Sequence, residues 1–158
     1  MEEDIRKDIR KDYEAIRKKF KLPEYLVLDK EFEISDLERS SNILRAIRSR
    51  ISEKIRNSLD IFEEILQPDT NLSTLYESRV FDDSRKREVF DLYRQVMKTR
   101  RKADQLEILN DDSQDAEFIS KTLEKWQSWK PTFLEILKLL EHSWSQDVEI
   151  SDKQNYLG

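Results

Sequence analysis

Only one glycine occurs in the 158 residues, alongside three prolines and no cysteine. Hairpin turns need glycine where φ is positive, and phosphate-cradling loops need several within one short stretch. A single glycine supplies neither, which excludes tight-turned sandwiches and barrels, dinucleotide fingerprints and nucleotide-binding loops. The lack of cysteine removes a disulfide framework, a zinc ribbon, an iron–sulfur site and a thiol nucleophile. One histidine leaves no histidine-rich metal site.

Charged residues make up 40% of the chain and apolar residues 37%, with three tryptophans. That apolar share separates the sequence from a low-hydrophobicity coil. A chain of this length buries roughly 70% of its unfolded surface, enough for a genuine core. No run approaches the ~20 apolar residues of a membrane span. The start, Met1-Glu2-Glu3-Asp4, is acidic where a secretory signal is basic and then apolar, so a soluble, cytoplasmic protein is expected. A net charge of −5 gives no global attraction to nucleic acid or to an anionic membrane.

The apolar residues recur with a period close to 3.6, and no useful length alternates with period 2. Ile5, Ile9, Tyr13, Ile16 and Phe20 form one narrow stripe, supported by Glu2–Arg6, Glu3–Lys7 and Glu14–Lys18 at the favourable i, i+4 spacing. Pro23 ends this helix by pushing Leu22 out of helical geometry. Tyr25-Leu26-Val27-Leu28 then reads as a short apolar connection packed under the bundle. Ser35-Asp36-Leu37-Glu38 has the form of a capping box, which predicts a long second helix over 36–66. Ile61 and Ile65 widen its stripe near the end and imply a second packing partner there. A turn at Pro68-Asp69-Thr70-Asn71 precedes a short helix near 72–80.

Residues 84–110 form the next helix. Val89, Leu92, Tyr93, Val96, Ala103 and Leu106 lie on one stripe, with Phe90, Met97 and Ile108 on another, the pattern of a central helix. The last helix, 116–144, carries a broad apolar face interrupted by Pro131. Its phase continues through the proline, so one helix is expected rather than two. The predicted fold is an all-α antiparallel bundle of four long helices plus one short helix. It forms a single domain over 1–144, with a flexible, disordered acidic tail at 145–158.

Charge is blocked along the chain. Residues 39–56 are basic and 57–78 acidic; 79–102 are basic and 103–124 acidic. Laid antiparallel, the second and fourth helices bring opposite charges together at each end. The same clusters also hold the nucleic-acid candidates, Arg45, Arg48, Arg56, Arg100, Arg101 and Lys102, which can meet phosphates if they share a face. Arg39 belongs to the same block. The acidic total and the lack of interleaved exposed aromatics oppose that use.

His142, near a helix end, suits contact with terminal carbonyls better than chemistry. The acidic pairs Glu63-Glu64, Asp82-Asp83 and Asp111-Asp112 suit caps and solvated faces, because adjacent helical residues diverge by about 100°. No catalytic residue, cofactor or metal set is read. Trp126 belongs to the core. Trp129 and Trp144, at the edge and the end of the last helix, are candidate partner anchors. The functional expectation is a non-enzymatic helical interaction module, an adaptor or assembly subunit binding another protein or a second copy of itself. The alternative is a nucleic-acid binder using the arginine-rich helix halves. A third reading is an all-α enzyme with an arginine-lined site for an anionic substrate.

Overall fold

The computed structural model describes residues 2–38 and 42–146, with backbone alone for residues 2–8. The side chains of the Ile5 stripe's first turn, Arg39, and residues 147–158 of the expected tail lie outside the described residues. The fold is an all-α helical bundle. Among the described residues its helices are α1 (Glu2–Phe20), α2 (Tyr25–Phe32), α3 (Ile43–Leu66), α4 (Leu72–Ser78), α5 (Asp83–Leu109) and α6 (Asp112–Ser143). A single 3₁₀ turn, Ile34–Asp36, links α2 to α3. No described helix is long and apolar enough to cross a membrane.

The chain divides into two compact units. Unit one is built from Met1–Asn57 and Val96–Ser128, and unit two from Ser58–Gln95 and Trp129–Gly158.

In unit one, Tyr25, Leu28 and Phe32 are buried while Leu26 and Val27 are exposed. The segment read as a short connection is therefore an amphipathic helix, its buried residues at i, i+3 and i+7. Phe32 packs on Trp126 of α6 with ring centroids 5.7 Å apart. Trp126 donates its indole N–H to the buried Glu31 carboxylate at 3.1 Å. Tyr13 of α1 packs edge-on against Tyr25 and donates its hydroxyl to the Pro23 carbonyl. Burial raises the pKa of that phenol above the usual tyrosine range.

The capping box at 35–38 does not start a helix. Burying both Phe32 and Ile34 turns the chain through a left-handed residue, Glu33 (φ 52°). The Ser35 N–H is then taken by the Asp29 carboxylate at 2.8 Å. Leu37 is extended, and α3 begins only at Ile43. Its cap is Asn42, whose side-chain oxygen accepts the Arg45 N–H at 3.1 Å.

Arg48 fixes the packing of the long helices in unit one. It is 1% exposed, and its guanidinium donates to the Leu106 carbonyl at 3.0 Å, to Asp115 at 2.9 Å and to Glu107. Arg45 reaches Asn110 and Arg48 reaches Leu106, so α3 and α5 run antiparallel there, with the basic start of one on the acidic end of the other. Tying three helices through a buried cation works only because three acceptors replace its water.

In unit two, Phe62 of α3 is fully buried, stacked on Phe133 of α6 at 5.0 Å and edge-on to Tyr93 of α5 at 6.5 Å. The partner implied by Ile61 and Ile65 is α4, which shares a small cleft with both of them and with Leu137 and Leu140. α4 is capped by Asn71, whose side chain accepts the Thr74 N–H at 2.9 Å. α6 continues through Pro131. The Gln127 carbonyl orphaned by the proline belongs to an exposed residue and can bond water. The second stripe of α5 does not make that helix central: Phe90 is exposed and Ile108 is 86% exposed.

With the only glycine at position 158, three helices end on other left-handed residues: Lys21 (φ 53°), Glu33 (φ 52°) and Asn110 (φ 57°). After α1, Leu22 N–H bonds the Arg17 carbonyl at 3.0 Å, the Schellman closure. After α5, Asn110 N–H bonds the Leu106 carbonyl at 3.0 Å. The left-handed region costs a side chain with a Cβ about 1–2 kcal/mol, less for asparagine.

Two predictions follow from these contacts. Lys21→Gly and Glu33→Gly each raise stability, by roughly 0.5–1 kcal/mol after the greater freedom of glycine in the unfolded chain is counted. Asn110→Gly gains less, since it also loses the acceptor for Arg45. Arg48→Met strands Asp115 in the core and costs about 3–5 kcal/mol, whereas Arg48→Met with Asp115→Leu recovers most of that loss. Urea denaturation midpoints at constant m-value measure both.

Candidate functional site

α6 presents the sharpest difference between the two units. In unit one Ile119, Leu123 and Trp126 on its inward face are buried, and α2 packs on Trp126. In unit two the arc of α6 that continues this face carries Leu134 and Leu137, with Trp144 in the turn that follows the helix, and these are 49%, 43% and 54% exposed. Among the described residues the seven-residue α4 lies against it there, meeting Trp144 through a stacked Tyr76 at 4.7 Å. The Tyr76 hydroxyl also donates to the Gln146 carbonyl at 2.9 Å, so the first two residues of the expected tail close the helix as a turn.

The candidate tryptophans part company. Trp129 is buried and donates its indole N–H to Gln95 at 3.1 Å, which withdraws it from any partner surface. Trp144 stays exposed. Leu137 and Leu134 lie seven and ten residues before it, and neither is among the candidate anchors. They read as continuous with the core face, and only the short span of α4 leaves them open.

The basic candidates are not gathered on one face. Arg48 is buried, and Arg45 is half-buried against Asn110. Beyond them on α3, Arg50 donates to the Glu33 carbonyl at 3.2 Å and Lys54 to the Glu31 carbonyl. Lys54 also lies over the Phe32 and Trp126 rings. Much of the basic half of α3 thus serves unit one internally. Arg56 is exposed and Arg100 half-buried. Arg101 pairs with Asp104 at 2.9 Å along the helix.

Lys102 has a different setting. It lines a cleft of about 310 Å³ between α5 and α6 in unit one, together with Lys98, Lys121 and Lys125. Thr99, Gln114, Phe118 and Thr122 complete the lining, and Glu117 is the one acid. Glu117 accepts a hydrogen bond from Lys121, and this bond and its charge, with Lys102 adding to them, hold the carboxyl below the usual glutamate range.

Unit two has an acidic counterpart, a cleft of about 730 Å³ lined by Asp60, Glu63, Glu64, Asp69, Phe90 and Tyr93. Tyr93 donates its hydroxyl to Glu63 at 3.1 Å. Asp82 and Asp111 act as caps, accepting the N–H groups of Arg85 and Gln114 at 2.8 and 2.9 Å. No cluster of three or more metal-ligating side chains occurs among the described residues. His142 is exposed beside a mixed cleft that holds Arg85, Glu88, Glu135 and Lys138. Comparison with known protein families, with curated proteins and with solved structures finds no match.

The tryptophan environments give a direct optical prediction. Trp126 and Trp129 are shielded and Trp144 is open. Acrylamide quenching of the intact protein should resolve one accessible and two protected emitters, and Trp144→Phe should abolish the accessible component without changing helix content by circular dichroism.

Proposed function

We propose that the chain is a non-enzymatic assembly module that pairs with a second copy of itself through α6. The observation that carries this reading is the exposed apolar pair Leu134 and Leu137 on a helix whose earlier turns are covered, with exposed Trp144 in the turn just beyond its end. Exposed apolar residues are ordinary when scattered, but a row on one helical face offers a seam for another helix.

The identity of the second helix is argued from charge. Along this face the order is Lys130, Leu134, Leu137, Glu141, at i, i+4, i+7 and i+11. Two copies of α6 laid antiparallel about the midpoint of Leu134 and Leu137 place each leucine against the other copy's leucine. The same register brings each Lys130 opposite the other copy's Glu141. A two-fold contact of this kind is self-complementary by symmetry. The apolar row is short, which puts the dimer in the weak, reversible class. Opposite charges at its ends fix register and direction more than affinity.

Sedimentation across a wide concentration range tests the proposal. The wild type should pass from monomer to dimer, and Leu134→Glu with Leu137→Glu should remain monomeric with unchanged helix content. Lys130→Glu or Glu141→Lys alone removes both symmetry-related ion pairs and should weaken the dimer by roughly fivefold to twentyfold. The two together should restore it. A wild type that stays monomeric throughout, or a double charge swap that fails to recover, overturns the reading.

A further inference from the structure

We infer that the four-lysine cleft between α5 and α6 in unit one is a binding site for a compact polyphosphate, a group of two or three contiguous phosphates. The site is independent of the α6 pairing row.

Four lysines crowd one cleft. Lys98 and Lys102 stand at i, i+4 on α5, and Lys121 and Lys125 at i, i+4 on α6, all four around one cleft. Like charges at this spacing destabilise the helix that carries them, and here two such pairs face one another. Among the described residues Glu117 is the one acid in the lining, leaving a local excess of positive charge in a chain whose net charge is −5. A bound polyanion relieves this repulsion, and the cleft offers it ammonium donors from both walls.

The dimensions select the ligand. Each lysine pair spans one helical turn, about 6 Å along its axis, and packed helices stand about 8–10 Å apart. The resulting space is about 310 Å³, suited to a few adjacent phosphates rather than a long strand. Phe118, Thr99 and Thr122 are all buried and form its floor. None of them offers an exposed ring on which a base could stack, the feature on which single-strand binding relies. The recognised chemistry is therefore the polyphosphate itself, free or as the end of a nucleotide.

Calorimetry on the whole chain with inorganic tripolyphosphate tests the inference. Binding should weaken as salt rises. Lys102→Gln or Lys121→Gln should each weaken it by roughly threefold to fivefold, in line with one exposed ion pair. Glu117→Gln should tighten it by a similar factor, because the variant removes the competing carboxylate and releases Lys121. Arg87→Gln, which removes an exposed charge elsewhere on α5, should leave affinity unchanged. A nucleoside triphosphate binding as tightly as tripolyphosphate supports the site and assigns recognition to the phosphates alone. Tighter binding of the nucleotide also supports it and marks the nucleotide as the source. Absence of tripolyphosphate binding overturns the inference, as does an Arg87→Gln loss equal to that of the lysine variants. Binding of a single-stranded RNA that tripolyphosphate cannot displace overturns it as well.

Discussion

The guanidinium of Arg48 decides how unit one is put together. Burying a cation is costly unless each lost water is replaced, and here the replacements come from two different helices. One is the Leu106 carbonyl, which also receives the Asn110 N–H that closes α5. Another is the Asp115 carboxylate, within the first turn of α6. The charge of α3 is thereby satisfied only when the end of α5 and the start of α6 are both in place. A contact with such strict requirements contributes more to the uniqueness of the arrangement than to its net stability. Hydrophobic burial around it, from Ile47, Ile51 and Leu106, supplies the larger favourable term.

Unit two is held differently. Its described core rests on aromatic packing about Phe62 and on the Trp129–Gln95 hydrogen bond. The lateral cover on α6 is a helix of seven residues. A helix that short cannot shield the apolar arc from Leu134 to Trp144, which spans ten residues and rises about 15 Å along the axis. The exposed row is thus a consequence of element length. A polar residue at any of these positions would cost the fold little, since each is already about half in water.

Much of the architecture was legible because the 3.6 period persists wherever a helix buries one side. The bounds of α5 and the passage of α6 through Pro131 both come from that period. The failures have specific physical origins. Ser35-Asp36-Leu37-Glu38 has every residue of a capping box, yet a non-local demand, the burial of Phe32 and Ile34, gave the Ser35 N–H to Asp29 instead. Tyr25-Leu26-Val27-Leu28 hid a helix because the apolar run masks which residues face inward. The two stripes of α5 look alike in sequence, but only the one with Val89, Val96 and Leu106 has helices to meet. For the candidate sites, periodicity identifies an apolar face without saying how much of it a neighbour covers. It therefore could not separate Trp129 from Trp144.

Charge blocks foretold the antiparallel meeting of α3 and α5 but not which cations it consumes, because they treat arginine and lysine as one kind of cation. In unit one the arginines at the start of α3 turn inward, where a planar fork of five donors can satisfy several acceptors at once. Arg48 engages three acceptors and Arg45 takes the Asn110 side chain. Lysine carries a compact, strongly hydrated charge that is costly to bury, so Lys98, Lys102, Lys121 and Lys125 remain exposed around a cleft. Lys54 shows what it takes to draw a lysine in: a backbone carbonyl at its tip and two aromatic rings beneath its charge. The α5–α6 cleft provides no comparable set of acceptors for four ammonium groups. Glu117 meets part of the need of Lys121 and Lys102, and the remaining positive potential faces solvent. The arginine-rich start of α3 is consumed in holding helices together, while four lysines from α5 and α6 are left around a concave cationic surface.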